Sequence, residues 1–272
     1  MIRCQPLLGT FVEITAEDGA AIDAGFAAIQ RVHRLMSFHA GDSDLARLRQ
    51  APVGAPVPIA PETAEVLRLA LDLHRESGGV FDVAVGARLV RSGFLPCPDG
   101  IEPEACDGTS ADLELTGGGR AVCHRPLLID LGGIAKGFAV DRAVAAMREA
   151  GAGEGLVNAG GDMRAFGPRA FMVEIRRADG RVQQRCILRG RALASSDNGS
   201  TRRRRWGRLL TPHIRFARAI RSHGVTSVVA PDCATADALT KVALADRALA
   251  ERMLARRGGF VLAPRQESAD AA

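Results

Sequence analysis

The stretch Ile129-Asp130-Leu131-Gly132-Gly133-Ile134-Ala135-Lys136-Gly137-Phe138-Ala139-Val140-Asp141 decides how this chain is read, and Leu156-Val157-Asn158-Ala159-Gly160-Gly161-Asp162 follows it closely. The pattern predicts a short apolar strand, Leu127 to Leu131, ending in an acid and a glycine pair. An amphipathic helix then runs to Ala150 and stops at Gly151. A helix start carries unpaired backbone N–H groups and a partial positive charge, so it suits an anion such as a phosphate. Gly132 and Gly133 let a ligand approach the backbone where a side chain would block it. Asp130 sits at the strand end, where ligands of α/β sheets commonly bind. The glycines fall as G-G-x-x-x-G, which is not the dinucleotide fingerprint, and Lys136 precedes its glycine, which is not a Walker A loop. On local chemistry alone two readings stand side by side: an anion-binding corner, or a strand-turn-helix corner packed closely at Gly137.

Composition sets the class. The chain has 272 residues, 47% hydrophobic and 25% charged, which is globular and large enough for a sizeable core. No apolar run approaches the ~20 residues of a transmembrane helix. Met1 to Thr10 lacks a basic segment followed by an apolar stretch, so a cytoplasmic protein is expected. The net charge of +5 mildly favours acidic ligands, and almost all the positive charge is arginine: the only lysines are Lys136 and Lys241. Arg202 to Arg205, followed by Trp206, is the one dense basic run. It reads either as a solvated loop or as an electrostatic guide for a phosphate-bearing ligand. With aromatics at 4% and no recognised binding motif, nucleic acid is not an expected partner. Six cysteines without C-x-x-C spacing argue against a zinc knuckle or a disulfide framework.

Along the chain, period-two alternation predicts a strand over Gly9–Ala16, and helical spacing predicts helices over Ala20–Met36 and Pro61–Ser77. Asp42 or Ser43 can cap a short helix containing Leu45 and Leu48. Val80–Val85 reads as a strand or extended segment, and Pro96–Gly119 as surface loop. Further strands are expected at Leu113–Leu115, Ala121–His124, Gly155–Ala159, Phe171–Arg176, Gln184–Leu188, Ser227–Ala230 and Phe260–Leu262. Helices are expected at Ala234–Leu244 and Arg247–Arg256, and the polar tail from Arg265 is expected to fray. No linker separates two cores, and the mixed order of strands and helices suggests one α+β domain.

Four segments combine into something more specific. They are Met36-Ser37-Phe38-His39 with Asp42-Ser43-Asp44-Leu45, Gly78 to Gly86, the glycine corner with Asn158 to Asp162, and Ser227-Val228-Val229-Ala230-Pro231 leading to Ala236-Asp237-Ala238-Leu239-Thr240-Lys241. Their order and spacing resemble the ApbE family of FAD:protein FMN transferases, from Leu8-Gly9-Thr10 almost to the C-terminus. The resemblance implies a single α+β domain over residues 1–264, with mixed, largely antiparallel sheets packed with helices, and a disordered tail over 265–272. It implies an enzyme that splits the pyrophosphate of FAD and attaches the FMN half to a Thr or Ser hydroxyl of an acceptor flavoprotein, with Mg²⁺ as helper.

By the same resemblance, Val80, Phe81 and Asp82 touch the flavin, and Leu8 and His39 fall near the ligand. Asp130 bonds the nucleotide, Lys136 sits beside it, and Ile214 lines the pocket. The Gly133 carbonyl and the Asp237 carboxylate hold the metal. His213, in Thr211-Pro212-His213-Ile214, falls at the family's His-Ile position and is the expected general base for the acceptor hydroxyl. Other readings stay open for some of these: Phe81 as core packing, Asp237 as a favourable charge at a helix start, His213 as a surface loop residue.

The departures concern the chemistry. After His213-Ile214 the family has Asp-Pro-x-Thr-Gly, where this chain has Arg215-Phe216-Ala217-Arg218-Ala219; the upstream Thr-Ser-Gly segment is matched only in part by Ser195-Ser196-Asp197-Asn198. Four residues after Asp237 the family has a hydroxyl ligand, and this chain has Lys241, which cannot coordinate Mg²⁺ while protonated. Either Thr240 supplies the hydroxyl, from a direction about 100° away on the helix, or the Lys241 ammonium replaces part of the metal's charge. Beside transfer, an FAD pyrophosphatase giving FMN and AMP and a non-catalytic FAD-binding relative are the alternatives.

Overall fold

A computed structural model of the chain describes residues 1–176, 179–199, 202–205, 208–215, 218–219 and 225–263. β1 (Ile2–Leu7) and β2 (Thr10–Thr15) form a hairpin, with Val12 and Ile14 inward and Phe11 outward. The Asp18 side chain caps α1 (Gly19–Met36), which buries Ile22, Phe26, Ile29, Val32 and Met36 at helical spacing. Ser43, not Asp42, caps α2 (Asp44–Gln50). A small three-stranded sheet of β3 (Val57–Pro58), β4 (Leu113–Thr116) and β5 (Arg120–Cys123) lies to one side, with α3 (Pro61–Glu76) and α4 (Gly86–Arg91) between its strands in sequence.

The glycine corner leads into α5 (Ala135–Glu149), followed by β6 (Gly155–Ala159), β7 (Asp162–Phe166), the hairpin of β8 (Phe171–Arg176) and β9 (Val182–Leu188), and β10 (Ala192–Asp197). Two short ribbons come next, β11 (Arg203–Arg205) with β12 (Arg208–Leu210) and β13 (Ile214–Arg215) with β14 (Arg218–Ala219). β15 (Val225–Ala230), α6 (Cys233–Ala245), α7 (Arg247–Ala255) and β16 (Phe260–Val261) complete the described chain. The main sheet has seven strands in the order β1-β2-β6-β7-β10-β15-β16, every neighbouring pair antiparallel. The expected α+β class and largely antiparallel sheets are what the chain adopts.

Strand alternation divides the core. Ala192, Ala194, Val228 and Ala230 face α6 and the main core, while Leu193 and Val229 face the opposite side, under Phe171, Val173 and Leu188 of the β8–β9 hairpin. Alanines on β10 and β15 let α6 sit close to the sheet. α6 is buried almost all round, with Lys241 partly exposed. A helix buried on every side that nevertheless carries Asp237, Thr240 and Lys241 marks a site, because buried polar groups are costly unless they are paired.

α5 and α6 cross at Gly137, where a Cβ would run into the Cys233 carbonyl and come within 2.8 Å of Asp237 Cβ. Asp141 locks the crossing: its carboxylate accepts N–H bonds from Cys233 (2.9 Å) and Ala234 (2.8 Å) in the first turn of α6, and an Arg164 guanidinium bond at 2.7 Å. Gly137→Ala is therefore expected to lower stability by about 1–3 kcal/mol in urea unfolding, the usual cost of overpacking. An unchanged midpoint would mean that the two helices separate freely.

Two expectations need correction. Leu127–Leu131 and Val80–Val85 are not ladder strands; they meet through two bonds, Gly86 N–H to Leu128 O (2.9 Å) and Asp130 N–H to Val83 O (2.8 Å). Leu127, Leu128, Ile129 and Leu131 are all buried, and a continuous apolar run has no period that separates strand from buried irregular chain. Strands β1, β3, β7 and β10 to β14 and helix α4 were not among the expected elements. Trp206 and residues 264–272, including the expected frayed tail, lie outside the described residues. Among the described residues, no helix is long and apolar enough to cross a membrane.

Candidate active site

The glycine corner, the turn after α3, the end of β10, the chain around His213 and one edge of α6 converge on a cleft of about 480 Å³, within the range of small-molecule sites. One wall is apolar, with Val80, Phe81, Leu89, Phe94 and Leu95. Phe81 is 4% exposed and belongs to the main core while it also lines this wall. Its loop is tied down on both sides. The Phe81 N–H donates to Ser77 Oγ (3.0 Å), and its carbonyl lies 2.9 Å from His74 Nδ1. Asp82 Oδ1 accepts from Ala84 N–H (2.8 Å), Ser110 N–H (3.1 Å) and the Ser110 hydroxyl (2.6 Å). His74 and Ser110 position this loop, and no sequence motif marks either of them.

The floor is the corner itself: Asp130, Gly132, Gly133 and Lys136. Burial pushes the Asp130 carboxyl up, opposed by a hydrogen bond from the Gly132 backbone and by the His39 charge. His39 thus stands near Asp130, but it is exposed and lies outside the cleft lining, edge-on to Phe38. Leu8 also lies outside it, on a separate depression with Pro6, Phe11 and His33.

The polar wall presents Lys136 and Lys241, both partly exposed and each backed by a buried carboxylate that lies behind the cleft surface. Lys136 Nζ binds Asp162 Oδ2 and lies 3.8 Å from Asp237 Oδ2, while Lys241 Nζ binds Asp237 Oδ1. The only two lysines of the chain thus meet the same carboxylate. Burial would raise the Asp237 carboxyl, but Lys136 and Lys241, with the Gly137 N–H at 3.1 Å, hold it below its ordinary value. Burial would lower the Lys136 ammonium, and the facing Asp162 and Asp237 outweigh that and raise it. Asp162 goes the other way, pushed up by burial and by the Asp237 charge. Its role was missed, although its motif was in view: Gly160-Gly161, both at positive φ (65° and 97°), make the two-residue turn between β6 and β7 and set Asp162 at the head of β7.

His213 faces Lys241 across the cleft. Its backbone N–H donates to Thr211 Oγ1 at 3.1 Å, and that hydroxyl donates to Asn198 Oδ1, so the loop is anchored to the chain just beyond β10. Burial, then the Lys241 ammonium, push His213 down to about 4, against the opposing Asp197 backbone bond. The imidazole is neutral across the physiological range. Ile214 follows it in β13, paired with Ala219. The partly matching Ser195-Ser196-Asp197 segment does reach the cleft. Of the basic run, Arg203 touches the cleft-lining Phe94, its guanidinium 5.2 Å from the ring centre, and donates to Gly93 O at 3.2 Å.

These residues do not fit the expected Mg²⁺. Mg²⁺ needs free hard oxygens in octahedral array. Both Asp237 oxygens are taken, Oδ1 by Lys241 and Oδ2 by Gly137 N–H. Thr240 does not supply the missing hydroxyl: it is fully buried, donates to the Asp237 carbonyl (2.7 Å) and meets Ser196 Oγ (2.7 Å), turned toward β10. That is the outcome of its ~100° offset from position 241. Gly133 lies beside the lysine stem, where a Cβ would stand 3.6 Å from Lys241 Cε. The one unpartnered buried oxygen here, Asp162 Oδ1, belongs to a residue that does not line the cleft. Among the described residues, no three His, Cys, Asp or Glu side chains gather as a metal cluster.

Comparison with known proteins agrees with this architecture. The ApbE protein of Thermotoga maritima superposes with a TM-score of 0.84 at 23% identity, covering 96% of this chain and 93% of that one. The flavin transferase ApbE of Vibrio cholerae gives 0.74 at 25% identity, covering 93% and 90%. In sequence, the FAD:protein FMN transferase of Rhodobacter capsulatus is 31% identical over 246 residues, 83% of this chain and 46% of the relative. That of Treponema pallidum is 30% identical over 185 residues, 61% and 51%. The chain therefore spans about half the length of the curated relatives it matches. The ApbE family model matches residues 8–260, from the β1–β2 turn through the cleft to β16, and the chain belongs to the ApbE family.

Proposed function

We propose that this chain transfers the FMN half of FAD to a Thr or Ser hydroxyl of an acceptor flavoprotein. The observation that carries the proposal is a neutral, half-buried His213 sharing with two lysine ammoniums a cleft that has an apolar wall. The flavin ring lies against Val80 and Phe81 beside Asp82, Asp130 bonds the nucleotide, and the pyrophosphate lies at the glycine corner beside Lys136. The acceptor hydroxyl oxygen bonds to the phosphorus of the FMN half as its proton passes to His213. The phosphoanhydride bond then breaks, and AMP leaves with the bridging oxygen. Charge on the phosphate oxygens is met by Lys136, Lys241 and the N-terminus of α5, aligned before reaction and needing no reorganisation.

Named relatives support the same reading, since those of Rhodobacter capsulatus and Treponema pallidum are FAD:protein FMN transferases. The test is incubation with FAD and an acceptor flavoprotein domain, followed by mass spectrometry of the acceptor. Covalent FMN on a Thr or Ser, with one AMP released per label, is the expected result. FMN and AMP released without labelled acceptor would replace transfer by hydrolysis, and FAD bound without turnover would leave a binding protein.

A further inference from the structure

We propose that Lys241 is the built-in counter-cation of this site, standing where a divalent ion would sit between Asp237 and Gly133, so that the chain binds FAD without a divalent metal. The inference rests on the flavin reading above and deepens it. Its first ground is position. Lys241 Nζ is in direct contact with Asp237 Oδ1, and its stem passes Gly133, whose added Cβ would lie 3.6 Å from Lys241 Cε and 3.7 Å from Cγ. The lysine therefore covers both groups from which a metal would take its protein oxygens. It also lines the cleft, so the ammonium faces the ligand. An ammonium has three donors; with one held by Asp237, two remain for phosphate oxygens.

The second ground is charge. Lys136 and Lys241 against Asp162 and Asp237 sum to zero when all are ionised. With a neutral hydroxyl residue at position 241 the same site would carry one excess negative charge, which a divalent ion would convert to one excess positive. With Lys241 present, an added divalent ion would leave two uncompensated positive charges in a buried site. It would also have to displace an ammonium from a fully buried carboxylate. The third ground is that the neighbouring hydroxyl is committed elsewhere, to Ser196 and to its own helix.

FAD binding, followed by quenching of flavin fluorescence, tests this in EDTA and in millimolar Mg²⁺, and Mn²⁺ spin resonance without flavin reads the metal site directly. The wild-type chain is expected to bind FAD equally under both conditions and to leave the free Mn²⁺ signal unchanged. Lys241→Thr restores the hydroxyl ligand. In EDTA it should bind FAD about 10- to 100-fold more weakly, the range for losing a hydrogen bond to a charged group, and recover with Mg²⁺ while gaining Mn²⁺ binding. Lys241→Arg, which keeps the charge, should keep EDTA-resistant binding. Wild-type FAD binding that disappears in EDTA and returns with Mg²⁺ would overturn the proposal while leaving the flavin reading intact, as would wild-type protein that quenches Mn²⁺ stoichiometrically. A folded wild-type chain that binds no FAD under either condition would overturn the flavin reading, and this one with it. Should Lys241→Thr not fold, the wild-type and Lys241→Arg measurements decide alone.

Discussion

His213→Ala is expected to keep FAD binding and to lose FMN transfer by about 10²- to 10⁴-fold, the range supplied by a positioned general base. Binding survives because the apolar wall, the glycine corner and both lysines are untouched. Transfer falls because, among the described residues, no other imidazole lines the cleft: His39 lies outside its lining, and His74 is turned to the Phe81 carbonyl. With His213 at about 4 in the free protein, burial and Lys241 together keep the ring neutral and able to accept a proton, though weakly basic. The pyrophosphate brings negative charge beside Lys241, which opposes the second of those causes and moves the imidazole back toward its ordinary range. The acid limb of kcat, which reports the FAD complex, should therefore lie at higher pH than that of kcat/KM, which reports the free enzyme. Transfer by His213→Ala at the wild-type rate, or one shared acid limb unaltered in the variant, would assign the proton to another group.

The parts of this molecule legible in sequence are those with a period or a cap. α1, α3 and α7 are delimited by helical spacing, with Asp18 and Asp246 capping α1 and α7, and each begins and ends within a residue or two of expectation; α5 ends, as expected, just before Gly151. β7 and β10 were hidden for different reasons. Ala192-Leu193-Ala194-Ser195-Ser196-Asp197 is built of small and polar residues with little strand preference, because α6 must pack close upon it. Asp162-Met163-Arg164-Ala165-Phe166 has its signal outside itself, in the Gly160-Gly161 hairpin-turn pair, which also forms part of the Asn158–Asp162 motif.

The site shows the same division. The floor and the Val80–Phe81 part of the apolar wall come from contiguous segments whose residues could be named one by one, whereas Leu89, Phe94 and Leu95 join that wall only through the fold. The two ion pairs join β7, α5 and α6, and only packing brings Asp162 to Lys136 and Asp237 to Lys241. The rarity of lysine was the available clue. In a chain that otherwise places arginine at every positive position, both lysines lie against a buried carboxylate.

Asp237→Ala is expected to destabilise the fold by about 3–5 kcal/mol, the cost of breaking a buried ion pair by removing one partner. Asp237 is fully buried, binds Lys241 directly, lies 3.8 Å from Lys136 and accepts the Gly137 N–H at the helix crossing. Its loss leaves two ammoniums to share Asp162 and orphans a buried N–H. Because Asp237 titrates below its ordinary value when folded, its contribution is present above the unfolded pKa and disappears as pH falls through the folded one. The wild type should lose that increment in acid, and the gap between wild type and variant should close there. Asp237→Asn, which keeps an acceptor for Gly137 but not the charge, should fall between the two. Removing the second partner as well, in Asp237→Ala with Lys241→Met, should recover part of the loss, because the uncompensated ammonium goes with it. Urea unfolding of the four proteins measures all of this. A double variant no more stable than Asp237→Ala alone would mean that the cost lies in the helix crossing at Gly137 and not in the ion pair.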